Sequence, residues 1–290
     1  MLLGRKSRTR VGGKFFPNPP QARLRVVHIH MHHSKPEPLG RIRLVSTDFD
    51  GTIHEESAPE AVPSALQRRL AELQQGGVVW AINTGRDLGS LLEAMARAQM
   101  FVLPDYVVAV EREIYRREGE GFVPVEPWNQ RCREEHATVY RRAAPGLRVL
   151  HKQLQGRFDA HFYEDDWSPL AVVARSNLQM DEIQLVLEDF CRTEGGLSAV
   201  RNDIYTRLSH HGYSKGTALS EIARLHDLKP ADILAAGDHF NDLPMLDRQH
   251  AARLVSPSNA IAEVKAHVQK QGGFIAQGRS GLGILEALSG

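Results

Sequence analysis

A chain of 290 residues, 42% of them apolar, can bury the core of one large domain or two smaller ones, and no stretch reaches the roughly 18 uninterrupted apolar residues of a membrane-spanning helix. The net charge of +1 conceals an asymmetry: residues 1–40 carry eight Lys or Arg against one acid, Glu37, and the remaining 28 basic and 34 acidic residues leave the body at −6. Nothing in that body invites nucleic acid or a membrane, and the N-terminus lacks the apolar segment of a secretory signal. Cys132 and Cys191 have no metal-ligand spacing and fit buried thiols in a reducing cytoplasm.

Residues 1–40 hold five prolines, Pro17, Pro19, Pro20, Pro36 and Pro38, and four histidines, His28, His30, His32 and His33, with little periodicity. Such a composition cannot close a core, and it predicts a disordered or loosely docked basic extension. A histidine metal site, a nucleic-acid or acidic-membrane contact and a mitochondrial transit peptide are weaker readings, because no second half of either site is present and the leader is poor in serine.

From residue 41 short β-rich runs alternate with helical ones, the pattern of an α/β fold with a parallel sheet and crossover helices. Ile42 to Thr47 reads as a strand. Residues 64–75 read as its helix, with Leu66, Leu70 and Leu73 inward and Gly76 and Gly77 as the stop. Val78 to Asn83 is a second strand, Asp87 an N-cap, Leu88, Leu91, Leu92 and Met95 a buried stripe, and Tyr106 to Val110 a third strand. After Glu111 the periodicity changes to an α+β module. It comprises a strand at Phe122 to Val125, a polar helix near 130–154, strands near 158–164 and 169–175, a helix with Ile183, Val186, Leu187 and Phe190 inward, and one strand near 198–208. The α/β pattern resumes with a helix from Ser214 carrying Leu219, Ile222 and Leu225, then a strand at Ile233 to Ala236, so the module is an insertion.

Asp48-Phe49-Asp50-Gly51-Thr52 follows the first strand, where open α/β sheets put their ligand crevice. A carboxylate there can attack phosphorus to give an acyl phosphate, and a second carboxyl two residues on can protonate the leaving oxygen and then activate water. Asp48 is the candidate nucleophile and Asp50 the acid/base; Gly51 permits a sharp turn and Thr52 can brace it. Asn83-Thr84-Gly85-Arg86 ends the second strand at a helix start, so the Thr84 hydroxyl and the adjacent backbone, with Gly85 and Arg86, are candidates for holding a phosphoryl group; a plain helix cap explains the string equally well. Lys215, opening a helix, can offset transition-state charge or be a surface lysine. Gly237-Asp238-His239-Phe240-Asn241-Asp242 adds two carboxylates. An acidic cluster of this kind needs a cation, and hard oxygen ligands favour Mg²⁺. Asp238 is the candidate direct ligand, Asp242 a ligand or a brace, and Asn241 a partner of nucleophile or phosphate.

The strings DFDGT, NTGR, SKGTAL and GDHFNDLPML, in this order over residues 41–290, resemble the four motifs of haloacid dehalogenase (HAD) phosphatases, particularly the Cof-like branch with a C2-type cap. The resemblance implies a Rossmann-like, doubly wound core at 41–112 and 206–290, and a mobile α+β cap at 113–205. It also implies a phospho-aspartate mechanism with a metal site formed by Asp48, the Asp50 carbonyl, Asp238 and Asp242. Only 33 residues separate Asp50 from Thr84 whereas 130 separate Thr84 from Lys215, which puts the cap in the second gap. Where Asn-Gly-Ala is usual, Glu111-Arg112-Glu113-Ile114-Tyr115 stands instead; its Glu-Ile-Tyr is similar to sucrose-phosphate phosphatases and tilts the expected substrate toward a sugar phosphate or a similar small phosphometabolite.

Within the cap, Trp128, Asn129, Tyr163, Asp165, Asp166, Trp167, Arg201 and Asn202 are the polar and aromatic candidates for meeting sugar hydroxyls, with His210 and His211 near the return to the core, although a structural or solvated role suits each of the eight better taken singly. The charged run Arg131 to Arg142 reads as a solvated helix face. Two other functions compete with hydrolysis: a sugar phosphomutase using the same phospho-aspartate, and a non-catalytic phosphate-binding protein, against which the full set Asp48, Asp50, Lys215 and Asp238 argues.

Overall fold

The computed structural model describes residues 42–289; the basic extension and its histidines lie outside the described residues. Two sheets organise the chain. The larger is built from β1 (Leu44–Thr47), β2 (Val79–Asn83), β3 (Tyr106–Ala109), β4 (Glu113–Glu118), β5 (Gly121–Pro124), β10 (Ile233–Ala236), β11 (Arg253–Ser256) and β12 (Phe274–Ile275), in the order β12-β11-β10-β1-β2-β3-β4-β5. The strands from β12 to β3 pair in parallel and the β3-β4-β5 edge is antiparallel. Helices α1 (Ser64–Gln75), α2 (Leu88–Arg97), α5 (Lys215–Leu225) and α6 (Ala262–Lys270) lead into parallel strands and, with the terminal α7 (Ser280–Leu288), cover both faces.

The smaller, antiparallel sheet runs β6 (His161–Asp165), β7 (Ser168–Val173), β9 (Tyr205–His210), β8 (Leu197–Asn202), and packs against α3 (Trp128–Arg157) and α4 (Asn177–Glu194) around its own core of Leu150, Leu154, Leu170, Met180 and Ile183. The expected α/β core with an inserted α+β cap is therefore the observed architecture. Among the described residues no helix is long and apolar enough to cross a membrane.

Several boundaries differ from expectation. Residues 113–124 pair onto the large sheet as a hairpin; the charged Glu113, Arg116, Arg117 and Glu118 of β4, which lie at half-buried or exposed positions, obscured its alternation. The single strand expected near 198–208 is a β8-β9 hairpin turning at Asp203, whose positive φ of 52° makes the turn, and the cap sheet runs on to His210 rather than ending at 205. Leu92 (38% exposed) and Leu225 (40%) are not in the buried stripes, since Leu91, Ala94 and Met95 already fill the i, i+3, i+4 face of α2, and Ile222 and Ala223 close that of α5.

Candidate active site

The carboxyl ends of β1, β2 and β10, three adjacent strands at the centre of the large sheet, bring the four motifs together. The strand order runs outward in opposite directions from β1 and from β10, and between two such strands an open α/β sheet leaves a crevice. Asp48 follows β1 and its amide donates to the Ala236 carbonyl at 2.9 Å, so the nucleophile candidate is fixed to the neighbouring strand. Gly51 has φ 77°, and a Cβ there would collide with the Asp238 carboxylate; only glycine admits this turn. The brace expected of Thr52 reaches across the site: its hydroxyl donates to Asp238 Oδ1 at 2.7 Å.

Lys215 is the centre of the cluster. Its wholly buried ammonium donates to Asp48 Oδ1 at 2.7 Å and to Asp242 Oδ1 at 2.6 Å, so the surface reading of this lysine is wrong. Ser214 caps the helix that presents it, in a reciprocal pair with Thr217, and Asn83 donates its amide to the Lys215 carbonyl. Burial alone would lower the lysine's pKa, but Asp242 and Asp48 outweigh it and keep the ammonium charged. Asp242 Oδ2 accepts the backbone amides of Asp238 and His239, both at 2.8 Å. With both oxygens engaged, Asp242 is built as a brace of the 237–242 loop.

Asp48, Asp238 and Asp242 each offer an oxygen within 4.8 Å of the others. Burial, opposed by Lys215 and reinforced by Asp242 and Asp238, pushes Asp48 well above the usual carboxylate range, and burial with Asp242 pushes Asp238 up to about 7. One ammonium does not compensate three buried carboxylates. A hard divalent cation among them fits this donor set.

Arg86, expected to hold a phosphoryl group, is paired with Asp50. It grips Asp50 with Nε to Oδ2 at 2.6 Å and Nη2 to Oδ1 at 2.8 Å, while His54 Nδ1 lies 3.2 Å from Oδ1. Burial would raise Asp50, but the hydrogen bonds from His54 and Arg86 hold it down at about 2. His54, four residues past Asp50 and stacked on Phe49, was not picked out from sequence. Nor was Asn259, whose amide donates to the Gly51 carbonyl at 2.7 Å and accepts the Ser280 amide at 2.6 Å, tying α7 to the first motif. A polar residue in a Pro-Ser-Asn-Ala turn was the only signal available.

A cleft of about 520 Å³ opens beside Lys215 and Asn241, lined on the cap side by Gln184, Glu188, Ser198 and Arg201 and on the core side by Glu111 and Phe240. Of the cap candidates, Arg201 and His211 line it. Arg201 lies over the Phe240 ring and is held by Asp181 and Asn177. Trp128 donates its indole N–H to the Arg112 carbonyl, Asp165 caps the β6-β7 turn, and the Trp167 carbonyl accepts from Arg112 and Tyr140. Tyr163, Asp166, Asn202 and His210 are likewise absent from the lining. Cys132 and Cys191 are buried thiols, pushed up to about 12 by burial.

Asn129 is a structural clamp: wholly buried, it accepts the Ile114 amide at 2.8 Å and donates to the Ile114 carbonyl at 2.9 Å, as a strand neighbour would. Asn129→Ala orphans the buried Ile114 N–H, while the Ile114 carbonyl keeps the Val125 amide at 2.9 Å, and is expected to destabilise the fold by roughly 1–3 kcal/mol. Thermal melts should show a lowered Tm, with KM on any phosphoester little changed; a selective rise in KM at unchanged Tm would restore the substrate-facing reading.

The family model described as sucrose-6F-phosphate phosphohydrolase matches residues 41–289. A phosphoglycolate phosphatase of Methanopyrus kandleri is 28% identical over 223 residues, 77% of this chain and 87% of that protein, and one of Methanoculleus marisnigri is 23% identical over 209 residues, 71% and 80% respectively. Among solved structures, the sucrose-phosphatase of Synechocystis sp. PCC6803, in complex with sucrose and phosphate, superposes with a TM-score of 0.66 at 20% identity, covering 86% of this chain and 97% of that one. A haloacid dehalogenase-like hydrolase of Bacillus subtilis gives 0.59 at 19% identity, covering 88% and 93%. These structural likenesses show the fold. Taken with the match along the whole described chain, they make this protein a phosphatase of the haloacid dehalogenase superfamily, belonging to the sucrose-6F-phosphate phosphohydrolase family.

Proposed function

We propose that the chain is a Mg²⁺-dependent phosphomonoester hydrolase that works through a phospho-aspartate on Asp48, with a sugar phosphate or similar polyol phosphate as substrate. The observation that carries the reading is the buried Asp48–Lys215–Asp242 chain, with Asp238 beside it, at the ends of the central strands. An Asp48 oxygen forms a bond to phosphorus as the bond to the leaving oxygen breaks, and that oxygen takes the proton of the Asp50 carboxyl. Water then attacks phosphorus, gives its proton to Asp50, and the bond to Asp48 breaks. Lys215 offsets charge on nucleophile and phosphoryl group, while Thr84 and the Gly85 backbone hold phosphoryl oxygens. Asp48, the Asp50 carbonyl and Asp238 would hold the Mg²⁺, with Asp242 bracing their loop; when bound, the ion supplies charge stabilisation to the transferring phosphoryl group.

The paired, ionised Asp50 suits the second, water-activating half. Acid catalysis in the first half requires Asp50 to be protonated, and an incoming phosphate dianion favours this both by drawing on Arg86 and by adding negative charge nearby.

The leaving group meets Gln184, Ser198 and Arg201, groups suited to hydroxyls, and Glu188, whose carboxylate disfavours an anionic leaving group such as glycolate. With Mg²⁺, the purified chain is expected to release inorganic phosphate from glucose 6-phosphate or sucrose phosphate with kcat/KM at least about tenfold above that for phosphoglycolate, and EDTA should remove the activity. No release from any phosphomonoester, or undiminished release in EDTA, would sink the proposal; preference for phosphoglycolate would overturn the substrate class alone.

A further inference from the structure

The turn joining β3 to β4 breaks a local rule. Val110 (φ 46°) and Glu111 (φ 68°) both occupy the left-handed region, and the Arg112 amide closes the turn on the Ala109 carbonyl at 3.0 Å. Two central residues of this conformation ordinarily call for Asn-Gly, and a β-branched residue there is strained by about 1–3 kcal/mol. The turn is held from outside: Val110 N–H donates to the Arg86 carbonyl at 2.8 Å and Glu111 N–H to the Thr84 carbonyl at 2.9 Å, so it rides on the Thr84-Gly85-Arg86 segment.

What the strain delivers is one buried carboxylate. Glu111 Oε1 accepts the Asn241 amide at 3.0 Å, and Oε2 accepts Arg207 Nη2, from β9 of the cap sheet, at 3.1 Å. Glu111 and Arg207 are 6% and 4% exposed. A Cβ added to Gly85 would lie 3.3 Å from Glu111 Oε1 and 3.8 Å from Asn241 Nδ2, so this carboxylate and the amide it holds border the backbone assigned above to the phosphoryl group. A carboxylate only accepts, so the Asn241 nitrogen is the end turned to Glu111, and its second N–H remains for a phosphoryl oxygen. Among the described residues Asn241 Oδ1 and Arg207 Nε are both buried without a partner, which leaves this cluster an acceptor and a donor to spend.

Resting on the phosphatase reading, we propose that Glu111 is a positioning residue that fixes the donor end of Asn241 beside Gly85, and that Arg207 of the cap is the counter-ion that makes an anion tolerable at the phosphate cradle. A carboxylate beside a phosphate dianion repels it unless neutralised, and the burial of Glu111 weakens solvent screening of that repulsion. Arg207 supplies that charge from the cap, so the core's affinity for phosphate depends on a cap residue that need not touch the leaving group.

The test is calorimetric titration of inorganic phosphate, in the presence of Mg²⁺, into the parent, Arg207→Ala and the double variant Glu111→Gln/Arg207→Ala, with kcat measured on acetyl phosphate. Arg207→Ala is expected to weaken phosphate binding at least about tenfold, because Glu111 is left an unpaired anion. Adding Glu111→Gln should recover most of that loss, while kcat stays depressed because a glutamine amide no longer dictates which end of Asn241 faces Gly85. A merely structural pair predicts the reverse, a double variant binding phosphate no better than Arg207→Ala, and that result overturns the proposal. A parent that binds no phosphate removes the proposed phosphoryl site and the role of Glu111 together; a parent that binds it and an Arg207→Ala variant that binds equally well remove only the role.

Discussion

Asp48→Asn is expected to abolish phosphate release, lowering kcat on the order of 10⁴-fold or more, because an amide oxygen cannot form the acyl phosphate and no other carboxylate shares its place at the end of β1. Stability should move the other way. Asp48 is buried, its charge is desolvated, and it sits with Asp238 and Asp242 around a single ammonium. Asn removes one of those charges, keeps an oxygen that can accept from Lys215 Nζ, and leaves the Lys215–Asp242 pair intact. Tm should therefore be unchanged or raised by a few degrees, the pattern of a site that gives up stability for chemistry. Parallel melts and phosphate-release assays check both halves, and turnover in the variant comparable to the parent would falsify the phospho-aspartate.

The clustering of the candidate residues was legible because they lie in short strings that end strands or open helices, and the strands themselves are apolar runs: Leu44–Thr47, Val79–Asn83 and Ile233–Ala236 were read to within two residues. What joins the strings was not legible. Thr52 to Asp238, Asn83 to Lys215 and Asn259 to Gly51 span from 132 to 208 positions, and no periodicity encodes which polar side chain turns inward at such separations. The same limit misled the cap assignments. Trp128 and Asn129 have the chemistry of sugar recognition but spend it on the Arg112 and Ile114 backbone, since burying a strand edge under a helix leaves peptide groups that must be satisfied. Glu111 stood out in sequence only as a departure from Asn-Gly-Ala; its partners Arg207 and Asn241 become visible only when the cap sheet and the large sheet meet.

Lys215→Met should be damaging in both respects. The side chain is of similar length, so the loss is of charge rather than of volume. Asp48 and Asp242 then face each other without their shared donor, and an uncompensated buried pair is expected to cost about 3–5 kcal/mol. Asp242 also carries the Asp238 and His239 amides, so its displacement reaches the loop that holds the proposed metal ligand. Activity should fall by on the order of 10²–10³-fold or more, as when a positioned charge is removed from a transition state. Mg²⁺ separates this from simple misfolding: a cation bound by Asp48 and Asp238 offsets part of the exposed negative charge, so millimolar Mg²⁺ should raise the Tm of Lys215→Met by more than it raises that of the parent. Melts of the two proteins with and without Mg²⁺ decide it. An equal rise in both would mean that the ammonium and the metal ion do not act on the same carboxylates, and would remove Lys215 from the charge balance of the site.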